Sequence, residues 1–186
     1  MRKKSTKTRE TILEAARVAF SQKGYDAVSM DEIAQIAGVR KSLIYYYFPS
    51  KEILFEEVWV TSIDSLEKEL FSETENENIY SRKIKNFLKK YIDFITSKKA
   101  ISELIRKEKT KVFDEENWQT AKMRYVQFLD KIETLIREGK KQAYIREEID
   151  PKAATEMIAS VDSMPRKSLL KTVEEMLLKV LLKDTS

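Results

Sequence analysis

Residues 29–49, "SMDEIAQIAGVRKSLIYYYFP", have little freedom in how they fold. Ser29 opens a Ser-x-x-Glu capping box with Glu32, in which each side chain satisfies an orphan donor of the other. A short helix is therefore expected from Met30 to about Ala37, with Ile33, Ala34 and Ile36 turned inward. Gly38 breaks it and can take the positive φ that a tight turn needs. The next helix starts near Arg40 and ends by Pro49, because the residue before a proline disfavours α geometry. Ile44 and Phe48, four apart, would anchor it to a core. Upstream, residues 8–21 place Ile12, Leu13, Ala16, Ala19 and Phe20 at helical spacing, and Gly24 stops that helix. Three helices with a tight Gly-Val turn between the short second and third form the pattern of a helix-turn-helix unit.

The rest of the chain is read as helical too. Three glycines and three prolines in 186 residues supply too few turn positions for a sheet protein. Ser50 can cap a helix from Lys51 to about Phe71. Further helices are expected over 82–96, 100–109, 118–139, 151–163 and 167–183. Between them lie the acidic loop at 72–78, a turn at 113–117 and a break at Pro165. Asp150-Pro151 is a strong helix start, with Asp as N-cap and Pro at the first position.

Function classes narrow quickly. With no cysteine and no histidine, the chain has no thiolate chemistry, and it lacks the commonest metal ligand and the usual general base. It has no Gly-rich phosphate loop, no motif pairing a nucleophile with a base and no cofactor signature, so an enzyme is not expected. Residues 1–51 carry ten Lys/Arg against five Asp/Glu, +5, whereas residues 52–186 carry 25 against 26, −1. The basic excess is confined to the N-terminal quarter, which fits either a polyanion partner there or a solvated basic surface. No apolar run approaches the roughly 18 residues of a membrane span, and the start "MRKKSTKTRE" lacks the apolar core of a signal peptide. A cytoplasmic protein is expected, with no membrane partner.

Tyr45, Tyr46 and Tyr47 sharpen the question. Each helical residue turns about 100° from the last, so three rings in a row sweep about 200°, more than one core-facing stripe can hide. Taken alone, they fit core packing with incidental exposure as well as contact with a partner. Their surroundings resemble the TetR family of bacterial transcriptional regulators. The resemblance rests on Thr8-Arg9, Ile12-Leu13, Ala15-Ala16, Phe20, Gly24-Tyr25, Ser29, Ile33-Ala34, Ala37-Gly38-Val39, Lys41, Ile44-Tyr45-Tyr46, Phe48 and Ser50-Lys51-Glu52. Ser42 departs from a frequent glycine, Tyr47 from a frequent histidine and Pro49 from an often polar position.

The resemblance implies an all-α chain with a helix-turn-helix DNA-binding domain over 1–50. A larger helical effector-binding and dimerisation domain would follow over 51–186, with about nine helices in all. It implies that Arg40, Lys41 and Ser42 meet base edges and Tyr45 a thymine or the backbone. Tyr46, Tyr47 and Lys51 would contact phosphates, as would Ser29 at the start of the second helix. It also implies a small-molecule effector, hydrophobic or amphipathic, among Phe55, Trp59, Phe87, Tyr91, Phe94, Trp118, Tyr125 and Phe128, with Arg106 or Arg124 as polar anchors. The same aromatic stripe fits an ordinary core. Finally, it implies a homodimer through Met157, Val161, Leu169, Val173, Met176, Leu177 and Val180, the alternative being that these residues bury inside one subunit. The expected function is a sequence-specific transcriptional regulator, a repressor released from a double-stranded palindromic operator by its effector. A helical protein-interaction module is one competing reading, and an activator, or a regulator lacking a small-molecule effector, is a closer one that the same fold would serve.

Overall fold

The computed structural model describes residues 2–72, 77–161 and 170–183. Among them run nine helices: α1 (Arg2–Lys23), α2 (Met30–Ala37), α3 (Lys41–Tyr47), α4 (Lys51–Phe71), α5 (Tyr80–Ser97), α6 (Lys99–Asp114), α7 (Gln119–Lys141), α8 (Pro151–Ala159) and α9 (Leu170–Leu181). The all-α expectation holds. Pro165, Leu169 and residues 73–76 of the acidic loop lie outside the described residues.

The chain forms two compact units, one from residues 1–64 with 99–124, the other from 65–98 with 125–186. These cut the chain elsewhere than at residue 50. The helix-turn-helix segment shares its unit with the first two-thirds of α4 and all of α6.

In the first unit, Ile12, Ala16, Phe20, Ile33, Ile44 and Phe48 are fully buried, the inward set anticipated for α1 to α3. Gly24, at φ 84°, ends α1 by donating its N–H to Phe20 O at 2.9 Å. Ser29 Oγ accepts the Glu32 N–H at 3.2 Å, while the Glu32 carboxylate is engaged by Lys23 Nζ, 2.7 Å away. Gly38 caps α2 at φ 65°, as the sequence predicts. Ile36 does not turn inward: it is 47% exposed. It lies about 60° round the helix from Ile33, past the stripe that α1 and α3 cover.

α6 is longer than the expected 100–109, and it packs along α1. Lys107 Nζ reaches the last turn of α1, donating to Ser21 O at 2.7 Å and Gln22 O at 2.8 Å. There a cation meets the carbonyl end of a helix, where the backbone dipole favours it.

In the second unit, Tyr80 starts α5 and lies against Gly139 of α7, where a side chain would have no room. The Tyr80 hydroxyl donates to Leu135 O at 3.0 Å. Asp150 caps α8 as expected, its Oδ1 accepting the Ala153 N–H at 2.7 Å. α8 ends at Ala159, short of the predicted 163. An isolated antiparallel bridge between Ile145 and Leu182 ties the end of α9 to the segment after α7, and nothing in the helical periodicity announces it.

Candidate nucleic-acid interface

The third helix is amphipathic across three i, i+4 pairs. Ile44 and Phe48 are fully buried and fix one face to the core. Lys41 with Tyr45, and Ser42 with Tyr46, occupy the exposed side. Tyr46 is 77% exposed and Tyr45 43%, so both rings look outward from their subunit. Tyr47 is half-buried, its ring edge-on to Tyr46 at 5.1 Å. The triplet thus divides as a helical sweep requires: two rings out, one at the margin. An open hollow of about 520 Å³ sits beside them, lined by Gly38, Val39, Arg40, Ser42, Leu43 and Tyr46.

The charged groups around this face are held in different ways. Arg40, exposed at the N-cap of α3, has extended backbone. Lys41 Nζ lies 2.6 Å from Asp31 Oδ2 on α2, and that hydrogen bond raises its pKa. Lys51 opens α4 with its Nζ 4.2 Å from the centre of the Tyr25 ring. Ser29 is exposed at the start of α2 with its hydroxyl engaged as a cap. All eight residues assigned to DNA therefore belong to the first unit, and seven of them fall in the short run 40–51.

Tyr25, outside the sequence-derived set, lies against one member of it, Lys51. Its hydroxyl donates to Glu52 Oε1 at 2.9 Å, and its backbone N–H donates to Glu108 Oε1 at 3.1 Å. Its ring packs on Phe55 and Trp118 at 4.9 and 5.0 Å between centroids. Burial, and then the Glu52 contact, push its phenol well above the ordinary range. Periodicity gives no sign of it, because Tyr25 lies in the turn between α1 and α2. Its place beside Gly24 in the matching run is the only signal.

The eight aromatic side chains assigned to an effector are all buried. Phe55, Trp59 and Trp118 belong to the first unit, and Phe87, Tyr91, Phe94, Tyr125 and Phe128 to the second. Trp59 Nε1 donates to Ala121 O at 3.2 Å, whereas the buried Trp118 Nε1 has no partner among the described residues. The two arginines offered as anchors are engaged elsewhere, Arg106 by Glu103 and Arg124 by Asp64. A hollow of about 330 Å³ in the second unit is lined instead by Phe71, Lys83, Lys131, Leu135, Glu138 and their neighbours.

Of the dimer set, Met157, Met176 (59%) and Val180 are exposed, and Val173 is partly so. Val161 and Leu177 (5%) are buried within their own unit. Leu169 lies outside the described residues. Among the described residues, no helix is long and apolar enough to cross a membrane, and no cluster of His, Cys, Asp or Glu could hold a metal ion.

Residues 12–58 match the family described as "Bacterial regulatory proteins, tetR family". The chain is 42% identical over 60 residues to an uncharacterised helix-turn-helix transcriptional regulator, YhgD, of Bacillus subtilis, covering 32% of this chain and 31% of that one. It is 37% identical over 49 residues to IcaR of Staphylococcus aureus, a negative transcriptional regulator of a biofilm operon, covering 26% of each. The matched segment thus spans less than a third of either relative. The fold is similar to that of AibR, solved in complex with isovaleryl coenzyme A and operator DNA. Its TM-score is 0.78 at 17% identity, covering 92% of this chain and 98% of that one.

Proposed function

We infer from the match of residues 12–58 that the chain belongs to the TetR family of bacterial regulatory proteins and that it is a sequence-specific DNA-binding transcriptional regulator. The observation that carries this reading is the outward face of α3. Tyr45, Tyr46, Lys41 and Ser42 share it, while Ile44 and Phe48 hold the helix to its unit. An exposed, basic and tyrosine-rich helix of this size fits the major groove. Arg40, Lys41 and Ser42 read base edges there. Tyr45 covers a thymine or sugar, and Tyr46, Tyr47, Lys51 and Ser29 take phosphates.

The regulator acts as a repressor, in keeping with the negative regulation named for IcaR. It works as a homodimer, with residues 1–50 on DNA and residues 51–186 serving effector and dimer contacts. Met157, Met176 and Val180 are the apolar side chains available for a two-fold contact. Two recognition helices roughly 34–36 Å apart would enter successive major grooves of a palindromic operator. The effector is a hydrophobic or amphipathic small molecule, as AibR's bound acyl-coenzyme A illustrates for that protein. Trp118 Nε1, a buried donor with no partner among the described residues, suits an acceptor atom of such a ligand. Bound effector shifts the population away from the DNA-binding state only by its differential affinity for the two states.

Fluorescence anisotropy tests the reading, using DNA from directly upstream of the chain's own gene and scrambled DNA at two salt concentrations. Binding to one segment about a thousandfold tighter than to scrambled DNA, weakening steeply with salt, is the expected result. If neither that segment nor any sequence selected from a random pool is preferred, the interaction-module reading replaces it.

A further inference from the structure

The two lysines assigned to DNA differ in what holds them. Lys41 is seated on a carboxylate, Lys51 on an aromatic ring. The difference matters for a group that must meet a phosphate. A carboxylate partner neutralises the ammonium, occupies its hydrogens and repels an incoming phosphate. A ring face attracts the cation through its quadrupole while leaving the full charge and the N–H donors in place.

We propose that Tyr25 is a positioning residue for DNA binding: its ring seats the Lys51 ammonium at the phosphate backbone, and its hydroxyl engages Glu52, the carboxylate next to that lysine. The inference rests on Lys51 being a phosphate contact.

Three observations support the role. First, the ring is fixed on several sides. Phe55, Trp118 and Phe20 pack on it at centroid distances of 4.9, 5.0 and 5.9 Å. The Tyr25 backbone N–H is itself anchored to the buried Glu108 at 3.1 Å. Second, the Tyr25 hydroxyl donates to Glu52 Oε1 at 2.9 Å, giving that carboxylate a donor other than its lysine neighbour. Third, Lys111, the other cation over this ring at 5.5 Å, is already paired with Asp26 at 2.7 Å and Glu115 at 3.0 Å. Lys51 is therefore the nearer cation of the two, at 4.2 Å. A lysine stem otherwise samples many rotamers, so a fixed seat lowers the entropy lost when the ammonium meets a phosphate.

The test changes the ring's electron density without changing its bulk. Position 25 of the full chain is filled in turn by phenylalanine, 4-fluorophenylalanine and 3,4,5-trifluorophenylalanine, in the Lys51 background and again with Lys51→Ala. Thermal melts verify that each protein is folded. Each is titrated by anisotropy against a labelled duplex of random sequence across a salt series, since non-specific binding reports the phosphate contacts alone. Fluorination should weaken binding stepwise, by about two- to fivefold in all, with Lys51 present, and should have no effect once Lys51 is alanine. A flat series with Lys51 present, or equal weakening in both backgrounds, overturns the positioning role. The underlying phosphate contact is judged separately, with Tyr25 unsubstituted. If Lys51→Ala leaves the log–log salt slope unchanged instead of lowering it by about one, Lys51 is no phosphate contact, whatever the ring series does.

Discussion

At the scale of single residues, charge placement would make α3, if it reads DNA as proposed, a conditional reader. Lys41 can reach a base edge only by leaving Asp31, 2.6 Å away. On that reading Asp31 would also bring a negative charge close to the DNA. Asp31→Asn should therefore tighten binding to every duplex, operator and scrambled alike. Lys41→Ala should instead change which operator variant is preferred. Competition anisotropy over a panel of single-base variants separates the two, and an equal loss on all sequences for Lys41→Ala would remove its base-reading role.

Glu108 makes a second prediction at this scale. Burial above all pushes its carboxyl above the ordinary glutamate range; Asp26 adds to this, while the Tyr25 N–H, Lys111 and Lys107 oppose it. The native state then binds a proton more readily than the unfolded chain does. Stability should fall as pH rises from the ordinary glutamate pKa of about 4.3 through the raised value. Glu108→Gln should flatten that limb in urea melts taken across the range, and an unchanged slope would assign it to other groups.

At the scale of elements, two glycines show opposite reasons for lacking a side chain. Gly38 sits at φ 65° with open space around it, so Gly38→Ala should cost about 1–2 kcal/mol through the backbone alone. Gly139 has helical geometry, where alanine would ordinarily stabilise by about 1 kcal/mol. Tyr80 fills the space its side chain would need, so Gly139→Ala should destabilise by about 1–3 kcal/mol through overpacking. Urea denaturation distinguishes these, and a stabilised Gly139→Ala would mean that Tyr80 packs elsewhere.

The same contrast explains what could be read from the sequence. α2, α3 and the cap at Ser29 were legible because each is specified by neighbouring residues: a cap, a turn glycine, a proline stop. The far end of α6, past Lys109, was not, because the buried Glu108 just before it breaks the run from Ile101, Leu104 and Ile105 to Val112, and Lys111 there reaches Asp26 across 85 residues of sequence. A buried carboxylate interrupts the apolar stripe by which a helix is recognised. Tyr25 and the Ile145–Leu182 bridge were hidden for a related reason, since their partners are set by tertiary contact and not by local period. Ile36 fitted the period and still faces solvent, because no helix among the described residues covers that side of α2.

At the scale of the whole molecule, the burial pattern of α8 and α9 decides which substitutions can test for a dimer. Leu177 has the apolar character expected of an interface, but it is buried inside its own unit. A charge there would disrupt the subunit, and loss of DNA binding would say nothing about assembly. Met176 and Val180, four apart on α9, are exposed. A charge at either should leave the subunit folded, since exposed positions tolerate substitution. If they form the two-fold contact, Met176→Glu is repeated on both subunits and places two carboxylates in one apolar interface. The expected outcome by sedimentation is a shift from dimer to monomer, with the thermal midpoint of the subunit core little changed. Operator affinity should fall steeply, because a single recognition helix keeps only half of the contacts, whereas scrambled DNA should lose less. A Met176→Glu protein that stays dimeric and binds its operator normally would move the interface off this face of α9.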